Sequence, residues 1–237
     1  MRIAFYGDSL TSGMPGSAYF DKLQDRFPND RLFNFGKVND TIVSLNKRIS
    51  NLSIDESFEL AFLWIGVNDV TLTHGWLRRM INALLGQRPA RNDDEFRAYY
   101  RATLSLLCEN AERVIAVAPL LKSENLGHDV NLRLADLAEL IKNIALDNDR
   151  VVFLDLRSKF TQVLEGKPLS HYKSRNPLRV LLDLLTLRSD EQIDRRAVKR
   201  GYQLTLDGVH LNSSGAELVA EVFAGWIDSY RGGRLEV

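Results

Sequence analysis

A single cysteine, Cys108, leaves an internal disulfide nothing to join, and its place in an apolar helical stretch, Thr103 to Cys108, predicts a buried reduced thiol. An excess of charge is also lacking. The 31 Lys and Arg are matched by 31 Asp and Glu, so no long-range field would gather phosphate backbones or anionic lipid, and nucleic acid is not an expected partner. No run of about 18 apolar residues occurs, which argues against a membrane span. The start, Met1-Arg2-Ile3-Ala4-Phe5-Tyr6, lacks the apolar core of an export signal, and a cytoplasmic location is the expectation that follows. The four histidines, His74, His128, His171 and His210, show neither paired helical spacing nor company of cysteine pairs, so metal dependence is not expected. Gly-x-Gly-x-x-Gly and Gly-Lys-Ser/Thr loops are missing, which removes the simplest nucleotide-binding readings and leaves no expected cofactor. No repeat, low-complexity stretch or Pro/Gly/Ser-rich linker divides the 237 residues, so one domain over 1–237 is expected.

What is present alternates. Five short apolar runs, Arg2 to Tyr6, Arg31 to Phe35, Leu60 to Ile65, Arg113 to Ala118 and Val151 to Leu156, each suit a strand buried on both faces. Between them Thr41 to Leu52, Asn92 to Asn110 and Asp129 to Leu146 carry helical spacing. The alternation predicts an α/β fold, a three-layer α/β/α sandwich of flavodoxin-like type around a five-stranded parallel sheet in the order 2-1-3-4-5. In the last helix Ser214 precedes Glu217 by three, matching a capping box, and Leu218, Val219, Val222, Phe223, Trp226 and Ile227 recur until Gly232-Gly233. Ser158 to Thr205 is too long for a simple connection and reads as a mostly helical insertion. Within it Pro177 leads Leu178, Val180, Leu181, Leu182, Leu184, Leu185 and Leu187, a helix apolar around most of its circumference. That second apolar side covers either the active site or a contact between copies in a homodimer, and both stay open.

In such sheets ligands gather at the carboxyl ends of strands, near the point where strand order reverses. Gly7-Asp8-Ser9-Leu10 follows the first run, Asn39-Asp40-Thr41 comes shortly after the second, and Gly66-Val67-Asn68-Asp69 directly follows the third. A hydroxyl needs a base to take its proton, and the oxyanion it creates needs donors already in place. Ser9 offers the hydroxyl and a backbone N–H, and Asn68 an amide. In Leu206-Asp207-Gly208-Val209-His210, Asp207 is near enough to fold back onto the His210 ring and set its tautomer. Singly each has a plainer structural reading as a cap, a turn or a partly buried histidine, as do Gly13 and Gly16 in turns and Trp76 beside His74 in a core. Their joint occurrence at the proper places favours chemistry.

Phe5-Tyr6-Gly7-Asp8-Ser9-Leu10-Thr11-Ser12-Gly13, Gly66-Val67-Asn68-Asp69 and Asp207-Gly208-Val209-His210-Leu211-Asn212 closely resemble the first, third and fifth motif blocks of the GDSL/SGNH hydrolase family. The resemblance implies a serine-dependent hydrolase of small-molecule esters, with Ser9 as nucleophile and oxyanion donor, Asn68 as a second donor, His210 as base and Asp207 as its orienter. A thioesterase or carbohydrate-ester deacetylase would use the same machinery. The second block departs. Members usually place a glycine just before an acidic or polar residue and a threonine, and that N–H completes the oxyanion hole. Here Asn39 stands at that position and Gly36 lies three residues earlier, so either N–H is a candidate. Asparagine tolerates left-handed backbone better than most residues, and its side chain would narrow the acyl pocket. The departure is also the one support for a binding protein that keeps the fold without turnover. Asp8 and Asp69 are expected to hold their loops through backbone hydrogen bonds.

Overall fold

A computed structural model describes residues 1–52, 56–72, 86–168, 183 and 186–233. Five strands, β1 (Arg2–Gly7), β2 (Arg31–Gly36), β3 (Phe58–Trp64), β4 (Ala111–Val117) and β5 (Val151–Leu154), form one sheet. All pairings are parallel, in the order β2-β1-β3-β4-β5. This is the expected α/β arrangement. The interior strands β1, β3 and β4 are buried almost throughout, which is why they read as continuous apolar runs. The second run was expected to be buried on both faces, and β2 is not: Arg31 and Asn34 are exposed and the rest half-buried. The order explains it, because β2 is an edge strand with a neighbour on one side only.

Helices fill both faces. On one side lie α2 (Tyr19–Arg26), α7 (Leu156–Leu164) and α9 (Ser213–Arg231); on the other lie α3 (Ile42–Ser50), α5 (Asp93–Asn110) and α6 (Asp129–Ala145). Two short helices, α1 (Ser9–Ser12) and α4 (Val67–Thr71), start at the carboxyl ends of β1 and β3, and α8 (Asp190–Arg200) precedes the last loop. Aromatic rings lock the first layer: Phe5 stacks on Phe62 at 4.9 Å, Phe223 of α9 stacks on Phe62 at 4.5 Å, and Tyr19 of α2 meets Phe223 edge-on at 5.2 Å. Burial of each such ring stabilises the fold by about 1.5–3 kcal/mol. Cys108 is buried and free, as expected. No described helix is long and apolar enough to cross a membrane.

The start of α9 differs from the capping box expected at Ser214 and Glu217. The cap is Asn212, whose Oδ1 accepts from Gly215 N at 2.9 Å. Asn212 is already anchored: its N–H donates to Leu204 O at 3.1 Å and its Nδ2 to Gln203 O at 3.0 Å. This anchoring, beside the antiparallel bridge between Thr205 and Leu211, starts the helix two residues earlier than the local pattern implied. Glu217 pairs instead with Arg26 and Lys22 of α2. Of the expected insertion, α7 and α8 and their flanks are described. Pro177, Leu178, Val180, Leu181, Leu182, Leu184 and Leu185, on which the leucine-rich helix rests, lie outside the described residues, as do His74, Trp76 and His171.

Candidate active site

The chain turns sharply after β1. A Cβ on Gly7 would stand 2.2 Å from Thr11 Oγ1 and 2.4 Å from Trp64 O, so only glycine allows α1 to fold back over the strand end. Asp8 caps this short helix by accepting from Leu10 N at 3.0 Å. The turn leaves Ser9, 6% exposed, at the first helical position. Gly36, at the end of β2, is needed for a similar reason: a Cβ there would lie 2.3 Å from Ser12 N.

His210 and Asp207 arrive from the far end of the chain in the loop between α8 and α9. Asp207 Oδ1 accepts from Val209 N at 3.1 Å and His210 N at 3.0 Å, and Oδ2 lies 2.9 Å from His210 Nδ1. The opposite ring nitrogen, Nε2, lies 3.2 Å from Ser9 Oγ. The loop is fastened to the rim, with Ser17 N donating to Leu211 O at 2.9 Å and Leu206 N to His210 O at 2.7 Å. An Nδ1–H donated to Asp207 leaves Nε2 as the acceptor facing a hydroxyl, which is the tautomer a general base requires.

Asn68, in the first turn of α4, donates through Nδ2 to Asp40 O at 2.9 Å and lies 3.3 Å from Asp8 Oδ2. Asn39 has φ +61°, the left-handed backbone that asparagine tolerates. The two candidates of the second block differ. Gly36 N–H is occupied, donating to Asn34 Oδ1 at 2.9 Å, whereas among the described residues Asn39 N–H has no partner. Asp69 ties loops together as expected, accepting from Ile42 N at 3.0 Å and Ala90 N at 3.2 Å.

Burial sets the electrostatics. It pushes Asp8 up to about 7, partly countered by the Leu10 N–H and the nearby His210, and pushes Asp69 up to about 7 against its Ile42 and Ala90 hydrogen bonds. Asp207 is equally buried, which alone would raise it, but the His210 charge and the hydrogen bonds from His210 outweigh burial and hold it well below the usual carboxylate range. Three buried aspartates on one rim are thus split: Asp207 stays ionised while Asp8 and Asp69 titrate near neutrality.

One acidic residue escaped the sequence reading. Glu124, 7% exposed in the loop after β4, accepts through Oε2 from Gln203 N at 2.7 Å, and through Oε1 from Leu204 N and Thr205 N at 2.8 Å and Thr205 Oγ1 at 2.7 Å. Thr205 Oγ1 in turn accepts from Gly208 N at 3.1 Å. Asn131, fully buried, shapes the loop that carries Glu124 by accepting from Lys122 N and donating to Ser123 O and Asn125 O. Nothing in the local sequence signals this role, because every partner is a backbone group or a threonine some eighty residues away.

Known proteins share this frame. Residues 5–218 match the model of the GDSL-like Lipase/Acylhydrolase family. Among solved structures the fold is similar to the acetyl xylan esterase AlAXEase, at 19% identity over 96% of this chain and 100% of that one with a TM-score of 0.64. It is also similar to Axe2, an acetylxylan esterase from Geobacillus stearothermophilus, at 18% identity over 95% and 93% of the chains and TM-score 0.62. A third similar structure is LAE5, an alpha/beta hydrolase from the metagenome of Lake Arreo, Spain, at 19% identity over 100% and 96% with TM-score 0.63. No curated protein matches the sequence significantly.

Proposed function

We propose that this chain, which belongs to the GDSL-like Lipase/Acylhydrolase family, is an ester hydrolase that works through a covalent acyl–Ser9 intermediate. The observation that carries the reading is the relay of contacts from Asp207 through His210 to Ser9 Oγ, at 2.9 and 3.2 Å. His210 Nε2 takes the Ser9 proton as Oγ attacks the ester carbon, and Asp207 stabilises the imidazolium that results. The tetrahedral oxyanion is met by the Ser9 and Asn39 N–H groups and by one Asn68 Nδ2 hydrogen, which turns to it from its longer contact with Asp8 Oδ2 at 3.3 Å. On collapse the C–O bond to the alcohol breaks and His210 returns the proton to the departing oxygen. Water then attacks the acyl–Ser9 ester with His210 as base, and Ser9 recovers its proton as the acid leaves. No step requires a cofactor.

Acetylated carbohydrate is the substrate class we place first. Two structural neighbours are acetylxylan esterases, and an asparagine side chain at position 39, where family members carry glycine, leaves less room for a long acyl chain. Residues 1–237 act as one catalytic unit in this reading, with a cytoplasmic location suited to a single free thiol.

Labelling with a fluorophosphonate followed by mass mapping tests the reading. A stoichiometric adduct on Ser9, absent from Ser9→Ala and much slower in His210→Ala, is the expected result. A folded protein that takes no label would be a binding module. Ser9→Ala retaining more than roughly a hundredth of the wild-type rate on acetyl esters would exclude Ser9 as the nucleophile, since losing such a group costs several powers of ten.

A further inference from the structure

The donor at position 39 belongs to a peptide group with two ends. Asp40 N donates to Lys37 O at 3.1 Å, closing a four-residue turn whose third residue, Asn39, has φ +61°. A positive φ at that position marks a type II turn, which differs from type I by reversal of the central peptide, here Val38–Asn39. In a trans peptide the carbonyl and the N–H point in opposite directions. Reversal would therefore exchange the directions of Val38 C=O and Asn39 N–H, and the hole would receive a carbonyl oxygen in place of a donor. With a non-glycine residue at the third position the left-handed form carries a steric cost, so something must favour it.

Gln87 is placed to do so. Its side chain, 7% exposed, donates through Nε2 to Val38 O at 2.9 Å, on the far side of the peptide from Asn39 N–H. Its other amide atom, Oε1, is buried without a partner among the described residues. An unpaired buried acceptor is costly where an apolar filler would not be, so the position retains an amide for the single bond that it makes. Adjacent contacts brace the same turn: Thr41 Oγ1 donates to Arg88 O at 2.7 Å, and Asp69 joins Ala90 N to Ile42 N. A hydrogen bond to the carbonyl also polarises the peptide and strengthens its N–H as a donor.

We propose that Gln87 is a positioning residue of the oxyanion hole, holding the Val38–Asn39 peptide in the orientation that presents Asn39 N–H to the substrate; this rests on the oxyanion role assigned to Asn39 above. The side chain touches no reacting atom and acts wholly through the turn.

The test uses Gln87→Met, of similar length without a donor, and Gln87→His, whose Nε2–H stands at the same reach from the backbone. Two readouts are followed: kcat and KM on p-nitrophenyl acetate, and the amide resonance of Asn39 in protein labelled with 15N-asparagine. Gln87→Met should shift that resonance and lower kcat about tenfold or more while KM changes less than about twofold, because the lost interaction is made mainly in the transition state. Gln87→His should restore both. An Asn39 amide unmoved in Gln87→Met would overturn the proposal whatever the kinetics. So would equal losses in the Met and His variants, which would make Gln87 a space-filling residue. A shifted amide with unaltered kcat would show that Gln87 holds the turn but that Asn39 N–H is no oxyanion donor. That outcome overturns the proposal and the Asn39 assignment together, and leaves the Ser9 chemistry, tested by labelling, standing.

Discussion

His210 Nε2 lies 3.2 Å from Ser9 Oγ although 201 residues separate them in sequence. The contact is held from both ends. On the serine side Asp8 caps α1 and Gly7 lets it fold back; on the histidine side one carboxylate, Asp207, fixes both the backbone N–H and the ring of His210. The two sides meet where Ser17 N donates to Leu211 O at 2.9 Å.

Asp207→Asn separates these duties. The amide oxygen can still accept from Val209 N and His210 N, so the loop should keep its shape. The other atom becomes an NH₂ facing Nδ1, which favours the wrong ring tautomer and removes the charge that stabilises the imidazolium. The expected result is a fall in kcat of about a thousandfold or more with KM little changed. Steady-state rates within tenfold of wild type would rule out the role proposed for Asp207.

Asn39→Gly should be tolerated. Glycine adopts φ +61° without steric cost and keeps the backbone N–H, and only the side chain is lost. Rates on acetyl esters should stay within about tenfold of wild type, the loss of one true oxyanion donor costing about a hundredfold or more. Longer acyl chains should gain relative to acetyl. A fall of two powers of ten on every chain length would make the side chain itself the donor.

Stability should depend on pH through the buried aspartates. For Asp8 and Asp69 the folded chain holds a proton up to about pH 7, whereas the unfolded chain releases it near pH 4. Their contribution is therefore full below about pH 4 and is lost as pH rises to about 7, because the unfolded state then binds fewer protons than the folded one. Asp207 acts oppositely: its contribution is present above the unfolded value and disappears only in stronger acid. Urea midpoints should accordingly decline from pH 5 to pH 8, and Asp69→Asn should flatten the decline. A midpoint that rises over this interval would contradict the assignment.

Much of this was legible in the chain because it depends on local pattern. Central parallel strands show as apolar runs, and Ser9 and Asn68, in short helices, and the Asp207 to His210 loop sit at the carboxyl edge of the sheet, where short spacings reveal them. The exposure of β2 was not legible, since it follows from strand order, nor was the Asn212 cap, since it follows from pairing with residues 203–205. Gln87 and Glu124 left no signature at all. They act on backbone atoms 49 and up to 81 residues away, and no periodicity links a side chain to a distant carbonyl or N–H.

Glu124 gives the last prediction. Its carboxylate satisfies three consecutive N–H groups and the Thr205 hydroxyl just before Asp207. Glu124→Ala leaves these donors buried without an acceptor, at about 1–3 kcal/mol each, so the loop should loosen and both the unfolding temperature and kcat should fall. Glu124→Gln is the more informative variant. Its oxygen can replace Oε1 and keep three of the four bonds, whereas its NH₂ would face Gln203 N–H, donor against donor. The expected effect is therefore partial, a loss of about tenfold in kcat with the fold intact. The downfield proton resonance of the bond between His210 Nδ1 and Asp207 reports the loop directly. It should persist in Glu124→Gln and broaden or vanish in Glu124→Ala. If Glu124→Ala lowered the unfolding temperature yet kept both that resonance and kcat, the bridge between Thr205 and Leu211 would suffice to hold the loop, and Glu124 would serve stability alone.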